Sequence, residues 1–438
     1  MVNRVQNSGG AVTPARVAIA SMVGTVMEWY DFFLYAFTAA LVFGHLFFPK
    51  YSSVAGTMAA FGTLAVGFVA RPLGGVIFGH FGDRIGRKTM LITTLTMMGG
   101  ATFAIGLLPT YETIGMWAAI LLTICRFLQG IALGGEWGGA VLMTVEYAPA
   151  NQRGFFGSVV QIGATLGLVL ATVVLFGMSY LLSKEDFISW GWRVPFLLSI
   201  IMMIAGLYIR LRVTETPAFQ RILAAGKIAK FPILEVLRDH PKIVIYVAAI
   251  YLGAITVPFY TVWVFLTYYA TAVLKLDRSM LLLGVVVVNL LLTFAILFTG
   301  WLSDRIGRKA ILVVGTLFIA AVAFPFFTIL DYREIGWAWC AMLLMGAPLW
   351  AVWGVLPAYF TEVFPEHLRY TGISLGSQAA TIIGGLVPLF ATAVLSQYGT
   401  WPISALVFVS AGLALGAIFA LRSCELKASA SLGNAGAV

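Results

Sequence analysis

The phrase Asp-Arg-Ile-Gly-Arg-Lys occurs twice, at 83–88 and 304–309, each time as a basic turn between two long apolar runs. The fuller copies are Gly79-His-Phe-Gly-Asp-Arg-Ile-Gly-Arg-Lys88 and Gly300-Trp-Leu-Ser-Asp-Arg-Ile-Gly-Arg-Lys309. Asp83 and Asp304 are 304 − 83 = 221 positions apart, about half of the 438 residues. Such repetition predicts two related halves. Composition then fixes the solvent. The chain is 61% hydrophobic and only 10% charged, too little charge to cover a soluble protein. Apolar stretches of about 20 residues or more recur along its length, which is the signal of spanning helices. The predicted class is an all-α membrane protein, and each copy of the phrase is a turn at the membrane edge.

Twelve spans are expected, near 17–46, 54–81, 89–109, 114–147, 155–182, 191–211, 242–271, 279–303, 310–330, 335–361, 371–395 and 401–421. The polar stretch from Arg212 to Lys242, punctuated by Pro217, Gly226, Pro232 and Pro241, separates six spans from six. This gives an N-terminal bundle over 1–212, a linker over 213–241 and a C-terminal bundle over 242–438. With the N-terminus inside, the inner segments carry 19 Lys and Arg. Two lie before the first span (Arg4, Arg16), three in the first phrase and one at Arg153. Seven fall around the linker, Arg210 among them, then three in the second phrase, Arg369, and Arg422 with Lys427. The outer segments carry six. This bias predicts cytoplasmic termini. The first apolar run continues past Glu28 and Asp31, too long and too interrupted for a cleaved signal peptide. The net charge of +9 is spread over loops, so nucleic acid is not an expected partner. Cys125, Cys340 and Cys424 make no disulfide framework.

The repeat extends beyond the phrase. Glu146-x-x-Pro149-x-x-x-Arg153 recurs as Glu362-x-x-Pro365-x-x-x-Arg369, and Gly130, Leu133, Trp137 and Gly138 recur as Gly346, Leu349, Trp353 and Gly354. Leu211-Arg212-x-x-Glu215 is echoed by Leu421-Arg422-x-x-Glu425. Two halves in parallel order suit a transporter whose halves are related by an axis along the membrane normal.

The two phrases resemble the loop signature of the major facilitator superfamily. Arg126-x-x-Gln129-Gly130-x-x-x-Gly134-Gly135-Glu136 resembles the fourth-helix signature of its metabolite:proton symporters. Glu28-Trp-Tyr-Asp31-Phe, Arg71-Pro-Leu-Gly-Gly75 and Trp190-Gly-Trp-Arg193-Val-Pro195 fit the same family. The resemblance covers the whole chain, and 71–88 with 134–140 are most similar to the shikimate-type branch. It implies a carrier of organic acids (shikimate, α-ketoglutarate, citrate) or of osmolytes (proline, betaine), working as a monomer in a bacterial inner membrane.

Charge inside a span costs roughly 2.5–3.5 kcal/mol at its centre, so such residues are functional candidates. Glu28, Asp31, Arg71, Arg126 and Glu136 are all in the first half, and Met342, Met345 and Val352 occupy the positions matching Arg126, Gln129 and Glu136. Thr25, Glu28, Asp31, Tyr35 and Thr38 form one polar stripe at helical spacing. Arg71 or Arg126 is expected to alternate between a carboxylate of the protein and that of the substrate, because the guanidinium fork binds carboxylate and stays charged. The released carboxylate then takes a proton, H⁺ being the coupling ion and no other cofactor being called for. Asp31 is the first expectation for that group, with Glu28 and Glu136 behind it. The alternative is that Glu28–Arg71 and Glu136–Arg126 are fixed internal pairs. Gln129, Tyr35 and Trp137 are further candidates for substrate contact in the first half. In the second, Tyr260 and Trp263 share a face with Thr267 after a break at Pro258, and Asn289, Trp353 and Gln378 are candidates too. Pro195, Pro348, Pro357 and Pro388 are read as further interruptions. Asp83, Arg84, Arg87, Glu146 and Arg153 are expected to form one gating cluster, mirrored by Asp304, Arg305, Arg308, Glu362 and Arg369, with Arg212 and Glu215 joining. In the family this network latches the halves in the outward-facing state.

A betaine carrier would want an aromatic cage, which Trp137, Tyr260 and Trp263 could supply. The tail after Arg422 is short and rich in Ser, Ala and Gly, where some osmosensing relatives carry a coiled coil, so a metabolite carrier is favoured. An integral-membrane enzyme finds little support. His45, His80, His240 and His367 do not cluster, and Gly134–Gly139 is a packing run with no preceding strand to make a phosphate loop.

Overall fold

The computed structural model describes residues 13–50, 53–226 and 228–435. Arg4, Lys227 and the side chains of Arg422, Cys424, Glu425 and Lys427 lie outside the described residues. The first half contains α1 (Pro14–Thr38), α2 (Ser53–Ile85), α3 (Arg87–Leu107), α4 (Met116–Tyr147), α5 (Arg153–Leu181) and α6 (Arg193–Leu211). The second contains α7 (Pro241–Val273), α8 (Arg278–Ile306), α9, α10 (Ile335–Val363), α11 (Arg369–Tyr398) and α12 (Trp401–Ala435). Among the described residues there is no β-strand. Among the described residues eleven helices are long and apolar enough to cross a membrane. The twelfth crossing, α9, is made in two pieces, Arg308–Val322 and Pro325–Leu330. Pro325 has no N–H to continue the ladder and its ring crowds the preceding turn, so the helix breaks there. The prolines expected to interrupt spans act differently: Pro348, Pro357 and Pro388 sit inside unbroken helices, and Pro195 lies in the first turn of α6.

Local chemistry sets several of the boundaries. Thr13 caps α1 by accepting from the Arg16 N–H, with Pro14 at the first helical position, and Asp277 caps α8 through the Met280 N–H; both satisfy amides that a helix start leaves unpaired. Each phrase turns at its glycine. Gly86 has φ +118° and Gly307 φ +93°, values that side chains resist, which accounts for Gly at the same place in both copies.

Small residues bring the helices together. A Cβ on Gly134 would lie 2.0 Å from the Arg71 carbonyl, and one on Gly130 2.2 Å from that of Gly67, so α4 rests directly on the backbone of α2. The halves meet along two matching seams. In one, Gly75, Gly79 and Gly82 of α2 face Gln378, Thr371 and Tyr370 of α11; in the other, Gly154 of α5 faces Gly300 and Ser303 of α8. Such close approach replaces the hydrophobic drive that is missing between helices in lipid. The region corresponding to the expected linker holds two short helices, Pro217–Ala224 and Pro232–Asp239.

Gly307→Ala isolates the turn, because nothing lies within 4 Å of the added methyl. We expect a loss of about 1–3 kcal/mol from backbone strain alone, read as a lower Tm in detergent. Gly100→Ala, equally uncrowded but inside α3, should leave Tm unchanged or raise it.

Candidate functional site

A cavity of about 570 Å³, part of it open to solvent, lies between the halves. Its polar wall is Glu28 of α1 and Arg71 of α2, with hydroxyl-bearing Tyr251, Thr256 and Tyr260 of α7 and Thr381 of α11. Trp29, Phe32, Phe259, Trp350 and Trp353 supply aromatic wall. Arg71 Nη2 is 3.9 Å from Glu28 Oε1, and Arg71 Nε donates to Gln378 Oε1 at 3.1 Å, across the seam. Glu28 Oε2 and the indole nitrogens of Trp29 and Trp353 are buried without a hydrogen-bond partner among the described residues. One loosely paired guanidinium, one half-satisfied carboxylate and a ring of aromatic faces suit a compact anion with an apolar body.

Asp31 and Arg126 do not line this cavity. They lie behind its wall, joined through two intervening side chains. Arg126 Nη1 donates to Gln129 Oε1 (3.2 Å), Gln129 Nε2 donates to Thr102 Oγ1 (2.7 Å), and Thr102 donates to Asp31 Oδ2 (2.6 Å). The Arg126 guanidinium also sits 4.6 Å over the Tyr35 ring, whose hydroxyl is 2.5 Å from Thr63 Oγ1.

Glu136 has a different partner from the one the sequence suggested. Arg210 of α6 pairs with it, Thr94 donates to it, and Arg210 Nη1 also donates to the Leu91 carbonyl. Arg126 is not involved. Arg210, counted in the sequence among cations of the cytoplasmic edge, is only 4% exposed. Gly24 makes the pair possible, since a Cβ there would strike the Arg210 guanidinium. Helix-end position concealed this residue; the signal was an uncompensated Glu136 with no second-half counterpart.

The remaining candidates divide. Tyr260 and Trp353 line the cavity, and Gln378 holds Arg71. Trp137 lies outside it, stacked on Trp353 (5.8 Å, 23°), with its indole donating to Gln161, which in turn donates to the Trp353 carbonyl. Asn289 anchors a wall residue by accepting from Trp350 Nε1 at 3.1 Å, and Trp263 stacks behind that indole (6.3 Å, 25°). The facing predicted for Trp263 assumed a regular helix. Instead α7 contains three π-helical stretches, Leu252–Thr256, Tyr260–Phe265 and Tyr269–Val273. Their wider turns rotate the later residues away from the cavity, a distortion common at functional sites. Pro258 lies between two of them, in a run that stays helical.

At the phrase end each aspartate crosses to the other half. Asp83 accepts from the Tyr370 and Thr371 amides (3.4 and 2.9 Å), which open α11; Asp304 accepts from those of Gly154 and Phe155 (2.8 and 2.9 Å), which open α5. A carboxylate at a helix N-terminus satisfies orphan amides and meets the positive end of the dipole. Arg87 pairs with Asp83 (3.2 Å) and Glu146 (3.8 Å) and donates to the Glu366 carbonyl (3.1 Å), while Arg369 approaches Glu146 (3.7 Å). Arg308 pairs with Asp304 (2.9 Å) and Glu362 (3.3 Å). The clusters thus mix the halves: Arg369 joins the first, where mirroring had placed it in the second. Arg84 turns to His80, Arg305 lies over Trp301 and Arg212 over Tyr208. Arg153 has a buried Nε with no hydrogen-bond partner among the described residues. Glu215 accepts from the Lys88 amide and so caps α3.

The chain resembles known proteins both in sequence and in fold. The sequence profile of the Major Facilitator Superfamily matches residues 21–388. The shikimate transporter of Escherichia coli is 42% identical over 412 residues, covering 93% of each chain, and the proline/betaine transporter of Salmonella typhimurium is 34% identical over 385, covering 85% of this chain and 76% of that one. In three dimensions the chain resembles the proton:xylose symporter XylE bound to 6-bromo-6-deoxy-D-glucose, with TM-score 0.76, 16% identity and coverage of 94% and 95%.

Two measurements check this geometry. Arg210→Leu strands a buried Glu136 and should cost about 3–5 kcal/mol, seen as a large drop in Tm. Asp304→Ala removes the cap on α5. A cysteine placed by Ser158→Cys, at a buried position facing Gly300, should then react several-fold faster with a water-soluble maleimide, whereas Asp331→Ala, just past the C-terminal end of α9, should leave its rate unchanged.

Proposed function

The chain belongs to the Major Facilitator Superfamily and is a multi-pass membrane transporter of small molecules rather than an enzyme, and we propose that it is a proton-coupled symporter importing a small organic acid. The observation that carries this reading is Arg71, which among the described residues is the one guanidinium on the cavity wall; Glu28 lies 3.9 Å away, and Gln378 of the opposite half accepts from it at 3.1 Å. A substrate carboxylate takes the Arg71 fork, which is built for bidentate contact. Glu28 then loses its counter-ion in a buried place, where an unpaired charge is costly, and takes a proton. Anion and proton move together. Position on the wall puts Glu28 ahead of Asp31 for this step; Asp31 serves as a second protonation position, linked to Arg126 through Thr102 and Gln129. The aromatic faces hold the apolar body of the substrate, and the similarity to a shikimate transporter supports a cyclic hydroxy acid.

Access alternates by rocking of the halves about the α2–α11 and α5–α8 seams. The phrase end is the cytoplasmic one on the Lys and Arg count, so both termini are cytoplasmic, the membrane is the bacterial inner membrane, and the aspartate caps latch the cytoplasmic side closed. One chain contains the complete cavity and works as a monomer.

Glu28 together with Trp29, Phe259, Tyr260, Trp350 and Trp353 also favours a second reading, a zwitterionic osmolyte whose ammonium group sits against carboxylate and rings. Competition separates the two. Benzoate-like anions should block uptake on the first reading, and choline, a cation without carboxylate, only on the second.

In proteoliposomes, labelled shikimate and other acids should drive proton uptake. Glu28→Gln should keep substrate counterflow and lose proton-driven accumulation; accumulation at the parental rate removes Glu28 from the coupling step. Arg71→Leu should cut uptake by roughly 30-fold or more, matching about 2 kcal/mol for an anion left without its partner.

A further inference from the structure

The helix Pro232–Asp239 in the segment between the halves has an apolar face on both sides. Its inner side buries Pro232 and Val236, and Val236 with Ala229 packs on Leu368 at the entry to α11. On its outer side Leu234 is 63% and Leu237 50% exposed, and Phe231 at the cap is 62% exposed. These three recur at a spacing of three, with exposed Lys230 and Arg238 beside them, so they form one basic-flanked stripe. A helix turned to water would carry polar residues there.

The position of the stripe names its occupant. The helix ends two residues before Pro241, where the 33-residue α7 begins. At 1.5 Å per residue α7 is about 50 Å long, against a hydrocarbon core of about 30 Å, so its first turns stand in the headgroup layer. The short helix also packs against α2, whose last turns expose Phe81 (41%) and Ile85 (54%). The apolar surface therefore runs on from the lipid-facing wall. Lys230, Arg238, exposed Lys242 and Arg84 outnumber half-buried Glu235 and exposed Asp239, which itself approaches Arg238 at 3.9 Å.

We propose that Phe231, Leu234 and Leu237 insert into the boundary between headgroups and acyl chains of the adjoining leaflet, and that Lys230 and Arg238 engage anionic headgroups there. Seated in this way, the helix holds Ala229 and Val236 on Leu368, next to Glu366, which meets Arg87 and Arg221. The segment thus ties the latch to the bilayer surface. This inference rests on the chain spanning a membrane and is independent of substrate and coupling.

The test uses the full chain with Cys125, Cys340 and Cys424 replaced by Ser. An environment-sensitive fluorophore is attached through Leu234→Cys, or through Gln220→Cys on the preceding helix as reference, in liposomes of neutral phosphatidylcholine or with about 30% phosphatidylglycerol. At Leu234 we expect blue-shifted emission, quenching by lipids brominated high on the acyl chain and several-fold weaker quenching by iodide than at Gln220. Phosphatidylglycerol should strengthen these effects, and Lys230→Glu with Arg238→Glu should remove that strengthening. Iodide quenching equal at both sites overturns the proposal. Shielding from both iodide and brominated lipid also overturns it, because a protein then covers the stripe. Insertion indifferent to lipid charge removes the headgroup contact.

Discussion

Hydrocarbon gives an ionised side chain no partner, so every charge within these helices must find one on another helix or face a wet cavity. The first half meets this constraint in two ways. Glu136 is fully engaged by Arg210 and Thr94, and Gly24 is the vacant space that lets the guanidinium reach it. Glu28 and Arg71 remain at 3.9 Å, with one Glu28 oxygen lacking a partner among the described residues. A tight pair fixes four helices relative to one another; a loose pair can be exchanged for a ligand. The same chemistry is thus a closed pair in one place and an open one in the other.

The second half answers with neutral groups. Met342, Met345 and Val352 are all fully buried in apolar packing where the first half has Arg126, Gln129 and Glu136. Its cavity contribution is aromatic faces and hydroxyl groups, and its amide groups aim other residues: Asn289 holds Trp350, Gln378 holds Arg71, and the Trp353 carbonyl receives Gln161 from across the seam. Charged groups of the first half and aromatic and hydroxyl groups of the second therefore converge on one space between them.

The end that carries the two phrases is held by more than surface ion pairs. Exposed ion pairs contribute roughly 0–1 kcal/mol each, but Asp83 and Asp304 are buried or nearly so and bond to main-chain amides at helix starts. Main-chain amides do not swing away as side chains do. The two caps act on opposite halves by the same geometry, so parting the halves breaks both together.

The sequence by itself determined the solvent, the helical class and the two-fold plan, since hydropathy, the repeated phrase and the paired glycines act locally along the chain. It also marked Glu28, Arg71, Tyr260, Trp353 and Gln378, because polar or aromatic residues stand out against an apolar run. It did not reveal Arg210 as the partner of Glu136, the break at Pro325 rather than at the other prolines, or the retreat of Asp31 and Arg126 behind the cavity wall. Tertiary structure alone decided those points. Which side chains meet depends on helix rotation, on π-turns that shift the phase of α7, and on which helix from elsewhere in the chain happens to approach, and none of these is encoded at a fixed spacing in the sequence.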